Sequence, residues 1–192
     1  MAATDAAVLI PIRSFDDAKT RLAGVLSPAD RRRLAIAMAE RVVHAARDLP
    51  VHVVTDDPDV LRWAERLGAA GLAPGVNGLN ESIAAAVAAL AAGDDPPARV
   101  IIAHADLPLA EDLRVVDGPG VAIAPDDPRD GSNVMSIPLD AGFTFHYGPG
   151  SFDAHRAEAD RLGLAVTVID EPTLALDVDD PGDLVRLQME GS

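Results

Sequence analysis

The sequence contains no cysteine, which excludes disulfide staples and thiolate chemistry from the outset. Aromatic residues are scarce at 3%: Trp63, Tyr147 and four phenylalanines stand as isolated anchors, so Ala, Val and Leu must fill the interior. No stretch reaches the continuous apolar length of a membrane span, and the first residues lack a basic region followed by a secretory apolar core. The expectation is a soluble, cytoplasmic protein without a membrane partner. Positive charge is also short, with 16 Lys and Arg against 31 Asp and Glu and a formal net charge of −15. Nonspecific nucleic-acid binding uses a positive surface, so nucleic acid is not an expected partner. An anionic metabolite remains open as a ligand, provided local bases, backbone donors or a metal supply the missing charge.

The chain is 192 residues long and 48% hydrophobic, which suits one domain, residues 1–192, with a sizeable core. Ala7–Ile10, Val51–Val54, Arg99–Ala103 and Val121–Ala124 read as short buried strands. Helices are expected between them. Ser27-Pro28-Ala29-Asp30 offers a capping hydroxyl and an early proline, and Leu34, Met38, Val42 and Ala45 continue an apolar stripe to about Arg47. Asp57-Pro58 opens a second helix that Gly68 ends, and Leu79–Ala92 supplies a third. The alternation favours an α/β fold, a mainly parallel or mixed sheet covered by helices, over a helical bundle. Further along, Val134–Ile137 and Phe143–Tyr147 read as strands, Ser151–Leu162 as helix, Ala165–Ile169 as extended and Asp180–Met189 as a terminal helix. No repeat or long linker divides the chain, and no coiled-coil pattern demands a partner; a homodimer stays an open expectation.

The most informative local pattern is Leu174-Ala175-Leu176-Asp177-Val178-Asp179-Asp180-Pro181. On an extended strand Asp177 and Asp179 share one face, with Leu176 and Val178 on the other. Two adjacent carboxylates disfavour joint ionisation, an objection that a divalent cation reverses. Asp106, just past the Val100-Ile101-Ile102 strand, is a second acidic locus at the strand end where such folds present ligands, although a structural turn would also explain it. Hard oxygen ligands favour Mg2+, with Mn2+ as the alternative, over zinc. Asp180-Pro181 reads as a helix cap.

After the first strand, Arg13, Lys19 and Arg21 place three cations within nine residues of an acidic chain. They are candidates to hold phosphate, against the alternative of a solvated salt-bridge cluster. Neither a P-loop nor a dinucleotide fingerprint is present, so nucleotide recognition must use another loop. Asn80, in Gly78-Leu79-Asn80, is a candidate for contacting ribose or base, or else a helix cap. Ser132 and Ser151 offer hydroxyls to an anionic acceptor, while Gly148 and Gly150 permit close backbone approach. Ser151 also stands where a helix begins, so an N-cap is its other reading. His104 sits beside the acidic strand end with no assignable role, and no nucleophile elbow supports a Ser-His-Asp hydrolase.

The ordered set Pro11-Ile12-Arg13, Ala18-Lys19-Thr20-Arg21-Leu22, Gly78-Leu79-Asn80, Ala105-Asp106-Leu107-Pro108, Gly131-Ser132-Asn133, Tyr147-Gly148-Pro149-Gly150-Ser151, His155-Arg156 and Leu176-Asp177-Val178-Asp179 resembles the phospholactate guanylyltransferase family of deazaflavin-cofactor biosynthesis. The resemblance spans nearly the whole chain and implies a compact nucleotidyltransferase-like fold. It further implies transfer of GMP from GTP to 2-phospho-L-lactate, phosphoenolpyruvate or 3-phosphoglycerate, with release of diphosphate. By that resemblance Asp106, Asp177 and Asp179 hold the metal, Lys19 and Arg21 manage nucleotide phosphates, and Asn80 belongs to the nucleotide pocket, with Arg13 the further nucleotide-binding candidate from the basic loop. Ser132, Gly148 and Ser151 seat the acceptor. Three positions depart from the family pattern: Arg13 where lysine is common, Ser132 for threonine, and His104 for a small residue or proline. A CTP- or UTP-dependent transferase for a sugar or alcohol phosphate, or a noncatalytic nucleotide-binding protein, are the competing expectations.

Overall fold

A computed structural model describes residues 5–190. Seven strands form one mixed sheet in the order β3-β2-β1-β4-β6-β5-β7. They are β1 (Ala6–Pro11), β2 (Val51–Val54), β3 (Ala70–Leu72), β4 (Arg99–Ala103), β5 (Val121–Pro125), β6 (Ser132–Pro138) and β7 (Val166–Val168). The half built from β1 to β4 is parallel, while β6 runs antiparallel to both β4 and β5. Six helices accompany the sheet: α1 (Pro28–Ala45), α2 (Pro58–Arg66), α3 (Leu79–Ala91), α4 (Ser151–Arg161), α5 (Pro172–Ala175) and α6 (Pro181–Glu190).

Strand alternation decides which side each residue fills. Val8 and Ile10 join Ile101, Val53 and Trp63 in one core layer, whereas Leu9 joins Ile102, Ile123, Ile83 and Phe152 on the other. Both faces of the central strands are therefore covered, as expected of a parallel sheet whose strands read as continuous apolar runs. The helix starts follow local chemistry. Ser27 Oγ accepts the Asp30 N–H at 3.2 Å and Asp57 Oδ1 accepts the Asp59 N–H at 2.8 Å. Asp180 caps α6 as anticipated, its Oδ1 accepting from Gly182 and Asp183 N–H at 2.7 and 3.2 Å.

Two expected strands are not strands. Phe143–Tyr147 keeps the alternation of one, with Phe143, Phe145 and Tyr147 buried and Thr144 and His146 exposed, but it pairs with no neighbour. Side chains take its amides instead. Thr144 N–H donates to Glu158 Oε1 at 2.9 Å, His146 N–H to His155 Nε2 at 3.0 Å, and Tyr147 N–H to Asn80 Oδ1 at 2.7 Å. The acidic segment likewise lies outside the sheet, since Pro172–Ala175 turns into a short helix and residues 176–179 run on without a ladder. Its alternation survives because Leu176 and Val178 are buried against Leu22 and Met38. The short edge strand β3 was not foreseen in Ala70–Leu72, where glycine and alanine carry little strand signal.

Among the described residues no helix is long and apolar enough to cross a membrane.

Candidate active site

The carboxyl ends of β1 and β4 and the first residues of β6 open onto a cleft of about 450 Å³. Three stretches far apart in sequence meet there. The loop after β1 is pinned first by Phe15, which is buried and stands edge-on to Trp63 of α2 with ring centroids 5.0 Å apart. Lys19 then takes a left-handed backbone, φ 55° and ψ 42°, and starts a 3-10 turn over Thr20–Gly24. That turn drives Leu22 into the cluster holding Leu176 and Val178, so the basic loop and the acidic segment share one apolar anchor. Burying such a leucine contributes about 1.5–3 kcal/mol, enough to offset the roughly 1–2 kcal/mol local cost of one left-handed residue. The Val178 N–H donates to the Asp106 carbonyl at 3.2 Å, tying the acidic segment to the turn after β4.

The result is a partly buried ion cluster. Lys19 Nζ donates to Asp106 Oδ2 at 2.6 Å and to Asp179 Oδ1 at 2.9 Å, with 9% of its side chain exposed against 23% and 47% for the two acids. Arg21 lies at the rim, largely in solvent, with Nη1 3.7 Å from Asp179 Oδ2. Burial opposes the charge on Lys19, but Asp106 and Asp179 outweigh it and hold the pKa above the usual lysine value. Burial also opposes ionisation of Asp106; the Lys19 ammonium and His104 prevail and keep that carboxyl below the usual range. Asp177 goes the other way. Burial first, then the neighbouring Asp106 and Asp179 charges, push it up.

The cleft walls carry two cations, Arg13 and Lys19, against four carboxylates: Asp106, Asp126, Asp177 and Asp179. A polyanion entering such walls needs additional positive charge. Asp106 Oδ1 is buried with no hydrogen-bond partner, so a donor or cation has a place to act. The oxygen donor set suits a hard divalent ion. Among the described residues no three His, Asp or Glu side chains form a ready metal cage, consistent with Lys19 standing between two of the acids.

The other expected site residues divide. Arg13, Gly148 and Ser151 line the cleft, and Arg13 is exposed without an ion-pair partner among the described residues. Gly148 has φ 132°, a conformation that a side chain would strain. Ser151 is the first residue of α4 rather than its cap, which is Gly150; its Oγ accepts the Ser132 N–H at 3.1 Å. The Ser132 hydroxyl is fully buried and faces inward, with His155 Nδ1 3.0 Å from its Oγ. Since His155 Nε2 accepts the His146 N–H, the proton sits on Nδ1 and is donated to Ser132. Asn80 neither caps α3, which begins after Gly78, nor lines the cleft. Its side chain accepts from Tyr147 N–H at 2.7 Å and donates to the Tyr147 carbonyl at 3.2 Å. The sequence reading passed over Asp126, which follows β5 as Asp106 follows β4 and was open to the same strand-end argument.

The model of the family described as "Guanylyl transferase CofC like" matches residues 6–192. A phosphoenolpyruvate guanylyltransferase of Rubrobacter xylanophilus is 37% identical over 95% of this chain and 93% of its own length. One from Sphaerobacter thermophilus is also 37% identical, over 93% and 90%. In three dimensions the chain is similar to a protein of Desulfovibrio desulfuricans G20 described as a nucleotide-diphospho-sugar transferase, with TM-score 0.77 and 18% identity over 99% of this chain and 89% of that one. It is also similar to a 4-diphosphocytidyl-2C-methyl-D-erythritol synthase, with TM-score 0.68 and 10% identity across 100% of both chains. These two likenesses establish a nucleotidyltransferase-like α/β fold. With the family model covering nearly all of its length, the chain belongs to the CofC-like guanylyl transferases.

Proposed function

We propose that this protein transfers GMP from GTP to the phosphate of a small phosphorylated acid, phosphoenolpyruvate or 2-phospho-L-lactate, and releases diphosphate. The observation that carries the reading is the meeting of Lys19, Asp106 and Asp179, from segments far apart in sequence, in one cleft beside Gly148 and Ser151. The names of the curated relatives support phosphoenolpyruvate as the acceptor. Residues 1–192 act in this reading as one cytoplasmic catalytic domain, with GTP and the acid as partners, no nucleic acid, and self-association left to measurement.

Asp106, Asp177 and Asp179 are the carboxylates available to hold Mg2+, or Mn2+; one or two of them would bind the ion directly, with phosphate oxygens and water completing its shell. Bound there, the ion would neutralise phosphate charge and stabilise the charge that builds on diphosphate. The remaining work falls to the chain. An acceptor phosphate oxygen attacks the α-phosphorus in line; a new P–O bond forms as the α–β bridge breaks, and diphosphate leaves with the bonding electrons. Lys19 and Arg21 offset the charge moving onto that leaving group, and Arg13, unpaired at the mouth, draws the triphosphate in. Asp179 is the more exposed of the two Lys19 partners, so it is the one a phosphate oxygen displaces. The acceptor oxygen is already ionised, and no side chain need abstract a proton. Gly148 and Ser151 would seat the acceptor, Ser132 would fix Ser151 from behind, and Asn80 would hold the Tyr147 backbone.

The test is diphosphate release with magnesium, GTP and each phosphorylated acid, product identity by mass spectrometry, and CTP and UTP in parallel. GTP- and acid-dependent release is expected. Preference for CTP or UTP, or nucleotide binding with no acid-dependent release, would overturn the reading. Full turnover after neutralising both Asp177 and Asp179 would reject the metal assignment.

A further inference from the structure

Two hydrogen-bonding groups on the cleft wall are buried and unused. Tyr147 Oη and His104 Nε2 have neither solvent nor a partner, although both residues line the cleft. Leaving a buried polar group unmade is costly, so orphans of this kind persist where something else satisfies them. Neither is an accident of a loose rotamer. The Tyr147 backbone is clamped at both its N–H and its carbonyl by Asn80. Its ring is wedged between His155, edge-on at 4.7 Å, and His104, tilted at 5.2 Å. The His104 backbone N–H in turn donates to the Asn133 carbonyl at 2.9 Å.

We propose that Tyr147 Oη and His104 Nε2 form a carboxylate-binding subsite that selects phosphorylated acids over other phosphate monoesters; the inference rests on the guanylyl-transfer reading. Tyr147 directly precedes Gly148 and lies near Ser151, the wall assigned to the acceptor, whereas the basic loop stands at the Lys19 cluster. The phenol is a donor throughout the working range, since burial pushes its pKa well above the ordinary value. A phenol and an imidazole whose ring centroids lie 5.2 Å apart can each donate to one oxygen of a carboxylate, and the rings packed around Tyr147 strengthen both bonds. The acceptor phosphate is the group that attacks the α-phosphorus, so the carboxylate is the group left to fill this subsite.

The experiment measures diphosphate release by the full chain with GTP and either phosphoenolpyruvate or ethyl phosphate, which keeps the phosphate and lacks the carboxylate. Tyr147→Phe and His104→Phe preserve the ring stack and delete one donor each. Each is expected to raise the KM for phosphoenolpyruvate about tenfold or more, a loss typical of one hydrogen bond to a charged group. For Tyr147→Phe the KM for GTP, kcat and any use of ethyl phosphate should stay within about twofold, well under one such bond. His104→Phe also withdraws a neighbour that keeps Asp106 ionised, so its readout is the ratio of kcat/KM between the two acceptors. Equal losses on both acceptors, or an unchanged phosphoenolpyruvate KM, would overturn the proposal and assign the orphans to a structural water. Should a variant fail to fold, the methyl ester of 2-phospho-L-lactate on the unaltered enzyme decides: esterification must raise KM to a similar extent. If the unaltered protein releases no diphosphate with any acid, the guanylyl-transfer reading fails separately. The subsite is then judged by calorimetric binding of phosphoenolpyruvate, which the two variants must weaken by the same factor.

Discussion

Replacing Lys19 by methionine removes the ammonium that lies between Asp106 and Asp179 while keeping most of the side-chain volume. At 2.6 and 2.9 Å both contacts are closer than the roughly 4 Å at which a unit pair near a protein surface is worth about 4 kcal/mol. Desolvation of Lys19 and Asp106 consumes much of that attraction in the native protein, but it persists for Asp106 once its partner is gone. Removing one member of a buried pair costs about 3–5 kcal/mol; with Asp106 partly open and Asp179 half in solvent, the lower end applies, about 3 kcal/mol. For a chain of this length that lowers Tm by about 6–12 °C. The assay is thermal unfolding of the wild type, Lys19→Met, Asp106→Asn and the double variant at neutral pH. The double variant should recover most of the loss, because no buried charge is left unpaired. A Tm within about 2 °C of wild type for Lys19→Met, or no recovery in the double variant, would refute the reasoning. The pH limits follow in sign. Asp106 is lowered, so its share of stability is present above the usual carboxylate pKa and lost as pH falls through its native value. Lys19 is raised, so its share is present below the usual lysine pKa and lost as pH climbs through its higher native value.

Three further outcomes are expected. Asp177→Asn should raise Tm at neutral pH while cutting turnover at least about a hundredfold, since it deletes a carboxylate that burial and two like charges disfavour. In the wild type that raised pKa adds stability as pH falls toward the usual carboxylate range, and scans of Tm against pH should show the variant lacking this gain. Asn80→Ala removes both clamps on the Tyr147 backbone and should cost about 1–3 kcal/mol by denaturant unfolding, with a higher KM for the acceptor. His155 is pushed down from 6.5 to about 4, chiefly by burial and then by His146 and His104. The unfolded chain therefore takes up this proton first, and stability falls as pH drops from about 6.5 to about 4. His155→Gln should remove that part of the slope, on the order of 3 kcal/mol, in urea titrations across the range.

The sheet was legible because its strands are short apolar runs set off by Ser27-Pro28, Asp57-Pro58 and similar helix starts, signals that act within a few residues. The place of Asp106 was legible too, from the rule that parallel strands present ligands at their carboxyl ends, whereas Asp179 reaches it on a segment outside the sheet. What escaped depends on partners remote in sequence. Alternating burial in Phe143–Tyr147 and Leu176–Asp179 looks the same whether the backbone meets a neighbouring strand or not. Only Glu158, His155 and Asn80 in one case, and Leu22 with Met38 in the other, show that it does not. Asn80 and Ser132 illustrate a second limit. Their residue types allow a ligand contact, yet the hydrogen bonds go to Tyr147 and His155, which periodicity cannot reveal.

Because α3 and α4, rather than a strand ladder, grip residues 143–147, the wall beside Gly148 hangs as a panel on three side-chain pegs. A substitution at Glu158, outside the cleft, would shift that panel while leaving the Lys19 cluster intact. Descendants of this sequence could thus trade one small acid for another by editing helix surfaces, with the phosphate-transfer chemistry inherited unaltered.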